Sequence, residues 1–516
     1  MNRRWWTPDV LMFLGFALTM LVLKREASMV DPGTYWHVVV GDKILDEGTL
    51  PRTDWLTFPF AGQFWVPQQW LGEVIMAITH RLAGFDGLLL MMVTALGMMV
   101  TLFFHRLRAC GLSIIVAMVC IFLTVGFSAY HFLIRPIIFT MLAMTWMFKL
   151  ILDFENQRIS IARMTAWLIP LGIIWTNIHG GVLAGIVTLW LAIGGWCLAA
   201  IIRFPTPIRT WADVGKLVAM GVAFTLTPLV NPLGFDLFKP WVAIMGSKVL
   251  PKYVIEHSPL NLFKDSFHLG IFCFGLFYTF MLISVKRIRP KVSWVIPLVW
   301  FALTIKSIRQ GPLFASMGIL AMADFLPWTH WYARLKTAGP WFIRPDDAPP
   351  IPPMGWRVWV IPGLFVALCA GLQMAKVPVP VIGSGWIVEP SGVYPVEMLP
   401  QLKELNDRSP DGTPIFNDSD FGGYLSYHLP RLRIFMDDRY ELCGDEWLEN
   451  YAQMLFKEPE RFDGYANQWP FQHAIIDRKG KLRKYLDQHA NWEIVQESDC
   501  AAWFTRKAKP DSGVEK

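Results

Sequence analysis

Asp31, His37, Asp54, Arg135, Asn177, His179, Glu256 and Arg309 are ionisable or amide side chains at the borders of long apolar runs. Such groups are costly at membrane depth and tend to mark functional sites. Their types suit two tasks. A positioned carboxylate can take the proton of an attacking hydroxyl. An arginine offers phosphate oxygens a fixed fork of donors. Each residue also has a plainer reading. Asp31 precedes Pro32-Gly33 and suits a turn or a helix cap, and Asp54 follows Pro51-Arg52-Thr53 and suits a turn. His37 and His179 suit satisfied structural histidines. Arg135, before Pro136, suits snorkelling at an interface. The joint pattern carries more weight than any single residue.

The elements that must position these groups are membrane helices. Of 516 residues, 54% are hydrophobic and 17% charged, against about 25% charged in a typical soluble domain. Mean hydropathy is +0.37. A helix needs roughly 20 apolar residues to cross the hydrocarbon. Eleven spans are expected, centred near Phe16, Thr94, Cys120, Met144, Gly172, Ala192, Phe224, Phe277, Pro297, Gly318 and Phe365. The first, after Arg3-Arg4, reads as an uncleaved signal anchor. Tryptophans such as Trp5, Trp6, Trp175, Trp328 and Trp331 end apolar runs and suit an interfacial belt.

With the N-terminus placed inside, alternate loops carry the basic residues: Arg106 and Arg108; Lys149, Arg158 and Arg163; Arg203, Arg209 and Lys216; Lys286, Arg287, Arg289 and Lys291; Arg334, Lys336, Arg344 and Arg357. That is the positive-inside pattern. The net charge of +6 follows from it and gives no argument for a nucleic-acid partner. The opposite loops, 26–69 and 231–265, are too long to be connectors and hold Asp31, His37, Asp54 and Glu256. In the first, Trp36, Val39, Val40 and Ile44 recur at helical spacing, which predicts a short helix lying on the membrane surface. The chemistry is thus expected on the outer side.

The expected division is a membrane domain over 1–375, a soluble extracytoplasmic α/β domain over 376–507 and a disordered tail over 508–516. Strands are expected at 413–416, 432–435, 473–476, 492–495 and 502–505, and helices at 400–405, 447–456 and 481–489. The seven cysteines form no zinc-like cluster. The sequence leaves open whether Cys443 and Cys500 pair.

Asp31-Pro-Gly-Thr-Tyr-Trp-His37, Pro51-Arg-Thr-Asp54 and Trp70-Leu-Gly-Glu73 resemble the first outer loop of a bacterial group of GT-C-type membrane proteins. That group is related to lipid-dependent glycosyltransferases of the mannosyl- and arabinosyl-transferase kind. Arg135-Pro136, Trp175-Thr-Asn-Ile-His179-Gly-Gly, Asn231-Pro-Leu-Gly234, Glu256-His257-Ser-Pro259 and Ser307-Ile-Arg309 resemble it too, as do Phe421-Gly-Gly-Tyr424 and Phe435-Met-Asp-Asp438-Arg439. The resemblance implies a GT-C-like helical membrane protein in the bacterial plasma (inner) membrane. It implies a multi-pass glycosyltransferase, hexosyl or pentosyl, that moves a sugar from a polyprenyl-phosphate carrier to a glycan, lipid or protein acceptor. Asp31 matches the acidic residue that GT-C proteins keep in this loop and would be the catalytic base. Arg135 or Arg309 would hold the phosphate, while His37, Asp54, Asn177, His179 and Glu256 would line the substrate cavity. Gly33 stands where an Asp-x-Asp pair would need its second acid. A divalent metal therefore stays open, and no other cofactor is implied.

Two other classes fit a many-span chain with one-sided polar groups. A lipid or glycan transporter would show internal repeats, and none is present. A non-catalytic assembly protein would use the soluble domain, around Asp437-Asp438-Arg439, as a binding surface.

Overall fold

The computed structural model describes residues 5–286 and 288–507. Arg287 and the expected tail 508–516 lie outside them. The chain forms two compact units, one of residues 1–24, 82–235 and 254–386, the other of 25–81, 236–253 and 387–516. The expected boundary at 375/376 divides the chain along its sequence. By packing, the first long loop and the middle of the second join the C-terminal residues.

The first unit is helical. Each of the eleven expected centres falls inside a helix. Among the described residues, seven helices are long and apolar enough to cross a membrane, and Pro8–Leu23, Ile114–Gly126 and Val292–Lys306 are apolar but shorter. The helix Gly311–Phe325 is rich in Gly, Ala and Ser and buried almost end to end. Small side chains let neighbouring backbones approach where lipid supplies no hydrophobic drive. The helix Ile137–Glu155 ends among Asp153, which receives Lys149 Nζ at 2.8 Å and the Arg106 guanidinium, and Glu155, which accepts from Trp196 Nε1 at 2.8 Å and Val292 N–H at 3.0 Å. These fasteners hold one end of the nineteen-residue helix, and Arg135 lies just before its other end. Trp175 departs from the belt reading. It is 1% exposed, and its indole N–H donates to Thr140 Oγ1. A hydroxyl on the neighbouring helix satisfies the indole inside the bundle, so it needs no wet interface.

The second unit holds a five-stranded mixed sheet in the order β2-β1-β3-β5-β4, with β1 Thr413–Asn417, β2 Leu432–Ile434, β3 His473–Asp477, β4 Trp492–Glu497 and β5 Ala501–Arg506. β1 runs parallel to β2 and β3, while β5 pairs antiparallel with β3 and β4. All five expected strands are present. The helices Ser419–His428 and Arg461–Gln468 join the expected ones. The outer edge of β2 is covered by the first long loop: Phe58 N–H donates to Ile434 O at 2.9 Å and Ile434 N–H to Leu56 O at 3.1 Å. An uncovered edge would present unpaired backbone groups.

The expected helix in that loop is Gly33–Glu47, but its apolar face does not lie on lipid. Trp36, Val40 and Ile44 pack with Leu56 and Trp65 in a buried cluster. Burial against protein removes the same apolar surface from water as an interface would. All seven cysteines are free.

Candidate functional site

In the second unit, Asp31 is 6% exposed and opens the helix Gly33–Glu47. Its Oδ1 accepts the N–H of Gly33 at 2.7 Å, one of the donors a helix start leaves over. The loop is pressed onto the helix Ser419–His428. A Cβ on Gly423 would meet the carbonyl oxygen of Pro32 at 2.0 Å. The Gly-Gly of the Phe421–Tyr424 motif is thereby explained as close approach. Aromatic rings wall the region. Tyr394 and Tyr424 stack at 4.9 Å, and Tyr35 meets each edge-on at 5.3 Å. Trp36 Nε1 donates to Asp438 Oδ1 at 2.5 Å. Tyr35 and His428 both reach Glu389 Oε1, at 3.3 and 3.1 Å.

His37 is fully buried, with Nδ1 3.2 Å from Glu73 Oε1. Asp54 is 2% exposed, and its carboxylate accepts from Thr57 Oγ1 at 2.6 Å, Thr57 N–H at 3.0 Å and Arg439 Nη2 at 2.8 Å. Arg439 also donates through Nε to both oxygens of Asp437, at 3.0 and 2.9 Å, and lies 4.6 Å from the Trp65 ring. Burial alone would raise the Asp54 carboxyl, but Arg439 and Thr57 outweigh it and hold it below the usual carboxylate range. Burial likewise opposes the Arg439 charge, and Asp437 and Asp54 more than restore it. The side chain of Arg439 has no exposure. Asp437 and Arg439 therefore form an internal ion network. They are not the binding surface that an assembly protein would need.

In the first unit, the expected residues converge where helices end. Arg135 precedes the helix Ile137–Glu155, and His179 caps the C-terminus of Ile161–Ile178. Glu256 and His257 sit in the turn Ile255–His257, and Arg309 in the turn Ile308–Gln310. The two turns are tied by Ile308 N–H to Ser258 O and Leu260 N–H to Ile305 O, both 3.0 Å. Arg135 Nη1 lies 3.8 Å from Glu256 Oε1, and Arg309 Nη1 donates to His257 Nε2 at 2.9 Å. Asn177 is built into the scaffold: its amide donates to Ile173 O at 2.8 Å and Val230 O at 2.9 Å.

Sequence reasoning passed over His131, four positions before Arg135. It is 2% exposed, and among the described residues neither ring nitrogen has a hydrogen-bond partner. Burial pushes its pKa down to about 4, with Glu256 opposing and Arg309 and Arg135 assisting. Burial and Arg309 do the same to His257, at about 4. Burial with Arg309 and Arg135 takes His179 to about 3. Glu256 goes the other way: burial resists its charge, yet Arg135, His131 and Arg309 hold it at about 2. At neutral pH the cluster thus holds two guanidinium charges, one carboxylate and three neutral imidazoles. Two guanidinium forks beside imidazoles able to donate suit an anion with several oxygens. Among the described residues no group of three His, Cys, Asp or Glu side chains could hold a metal ion.

No family model matches the sequence, and no curated protein does. Solved structures do match its fold. ArnT from Cupriavidus metallidurans bound to undecaprenyl phosphate superposes with a TM-score of 0.52, covering 97% of this chain and 98% of its own at 14% identity. The apo form of that protein gives 0.52 over 96% and 97%. The Archaeoglobus fulgidus oligosaccharyltransferase, tethered to an acceptor peptide containing the NVT sequon, gives 0.51 over 91% of this chain and 69% of its own at 12% identity. The expected architecture, many apolar helices followed by a C-terminal α/β domain, is the one found, and its fold is shared with these solved structures.

Proposed function

We propose that the chain is a membrane glycosyltransferase that takes a sugar from a polyprenyl-phosphate carrier and gives it to an acceptor hydroxyl or amide on the outer face of the bacterial plasma membrane. The observation that carries this reading is the cluster itself, two guanidinium groups, Arg135 and Arg309, brought together with Glu256, His257 and neutral imidazoles where helices end. A fold shared over nearly the full length with a protein crystallised with undecaprenyl phosphate supports it. In this reading Arg135 and Arg309 hold the carrier phosphate, and His131, His179 and Glu256 line the same place. Asp31 takes the proton of the acceptor as its oxygen or nitrogen attacks the anomeric carbon. The bond from that carbon to the phosphate oxygen breaks, and the phosphate leaves as an anion. The N-terminus is cytoplasmic, as the basic loops require.

The test uses the full chain in nanodiscs with a panel of polyprenyl-phosphate sugars and candidate acceptors, following release of polyprenyl phosphate. Wild-type release with at least a hundredfold loss in Asp31→Asn, at unchanged thermal unfolding, is expected. Full release by the variant would remove Asp31 from the reaction. Carrier movement across the bilayer without release would favour a transporter.

A further inference from the structure

The ring of His179 is locked by its surroundings. The residue leaves the helix Ile161–Ile178 in extended backbone, φ −163° and ψ 140°. Its Nδ1 then faces two donors, the N–H of Gly181 at 2.8 Å and the hydroxyl of Thr140 at 2.9 Å. A backbone N–H can only donate, so Nδ1 must accept and carries no proton. The Thr140 oxygen is itself engaged, accepting from Trp175 Nε1 at 2.8 Å, which turns the hydroxyl proton toward His179. Thr140 and the ring can close on Gly181 because it has no Cβ, which would meet Thr140 Oγ1 at 2.4 Å and His179 Nδ1 at 2.9 Å. The neutral ring therefore carries its proton on Nε2. Beside Arg135 and Arg309 it stays neutral well below pH 7, its pKa held at about 3. A ring in this state is poorly suited to take a proton. It is a directional N–H donor that adds to the arginines without adding charge.

Resting on the phosphate reading of this cluster, we propose that His179 donates its Nε2–H to an oxygen of the carrier phosphate, and that Thr140 is the positioning residue that fixes the tautomer. The Trp175–Thr140–His179 chain is then a relay of orientation. Thr140 touches neither the sugar nor the phosphate.

Two pairs of variants test this in the full chain in nanodiscs, with undecaprenyl phosphate as the binding probe. His179→Leu removes the donor, and His179→Gln restores an N–H near the Nε2 position. A hydrogen bond to a charged group is worth about 1.5–3 kcal/mol, or roughly 10- to 100-fold. His179→Leu is expected to lose that much in carrier binding and in transfer, and His179→Gln to recover most of it at the same unfolding temperature. Thr140→Val should lose part of the same affinity and shift the ring ¹⁵N resonances of His179 toward mixed tautomers, while Thr140→Ser keeps both at wild-type values. Carrier binding should not change between pH 6 and 8 through His179. Wild-type binding by His179→Leu, or no recovery in His179→Gln, overturns the proposal. Arg309→Gln separates it from the underlying reading. If Arg309→Gln loses the carrier while His179→Leu keeps it, only the role of His179 falls. If both keep it, the phosphate reading fails as well.

Discussion

His131 is where a single side chain departs most from what folding alone would select. An imidazole with both nitrogens buried and unpartnered forfeits the hydrogen bonds it makes in water, at a cost of about 1–3 kcal/mol for each group. Leucine would fill much of the space with none of that cost. His131→Leu is therefore expected to unfold at the same temperature as wild type or higher, while carrier release falls at least tenfold. Thermal unfolding and release assays on one preparation check both halves. A stabilised and fully active variant would assign His131 to neither structure nor chemistry. Asp54 shows the converse. Sequence made it a candidate for substrate, yet its oxygens are occupied by Thr57 and Arg439. Its partner lies 385 positions away, too far for any local pattern to reveal.

At the scale of elements, the Asp31 loop is placed by what it packs against. The helix Ser419–His428 presents Gly423 to the Pro32 carbonyl at a distance that admits no side chain. Gly423→Ala forces the two backbones apart, and overpacking of this kind costs about 1–3 kcal/mol. The expected result is a lower unfolding temperature together with reduced transfer, because the displaced loop carries Asp31. Alanine at Gly464, where a Cβ would meet nothing within 4 Å, is the control. The Arg439 network joins the segment after β2 to the first long loop through Asp437 and Asp54. Arg439→Met leaves two buried carboxylates without their counter-charge, a loss of about 3–5 kcal/mol. Limited proteolysis should show the residues after 387 cleaved far faster in this variant than in wild type.

For the whole molecule, the histidines predict an acid limit to stability. The folded pKa values of His131 and His257, about 4, and of His179, about 3, lie below the ordinary value of 6.5. The stability they contribute is complete above pH 6.5 and is lost as pH falls toward 4 and below, since the unfolded chain takes up protons first. Glu256, at about 2 against an ordinary 4.5, adds a second loss below pH 4.5. Unfolding temperature in nanodiscs should hold steady from pH 8 to 7, then drop steadily from 6.5 to 4.5, and His131→Leu should flatten that drop. Membrane orientation is a separate matter of the whole chain. A periplasmic reporter fused after residue 507 should be active, and one inserted at 206 inactive. The reverse pattern would invert the proposed topology.

Apolar run length placed all eleven expected centres within helices, and alternating residue types placed the five strands, because both signals are local. The same locality explains what was missed. The helix Ser419–His428 contains Gly422, Gly423 and Tyr424 and reads as a loop by propensity, since only the opposing carbonyls of Met436 and Pro32 give Gly422 and Gly423 their purpose. The helix at Trp36 was legible, but its cover was not. An apolar stripe specifies burial without saying whether lipid or protein supplies it. Arg135, Glu256 and Arg309 could be singled out as costly charges at the ends of spans. That they gather with His131, His179 and His257 into one neutral-imidazole, arginine-rich cluster depended on helix ends and turns converging in space. Charge neutralisation acts over a few ångströms, and only tertiary structure brings residues this far apart in sequence within that range.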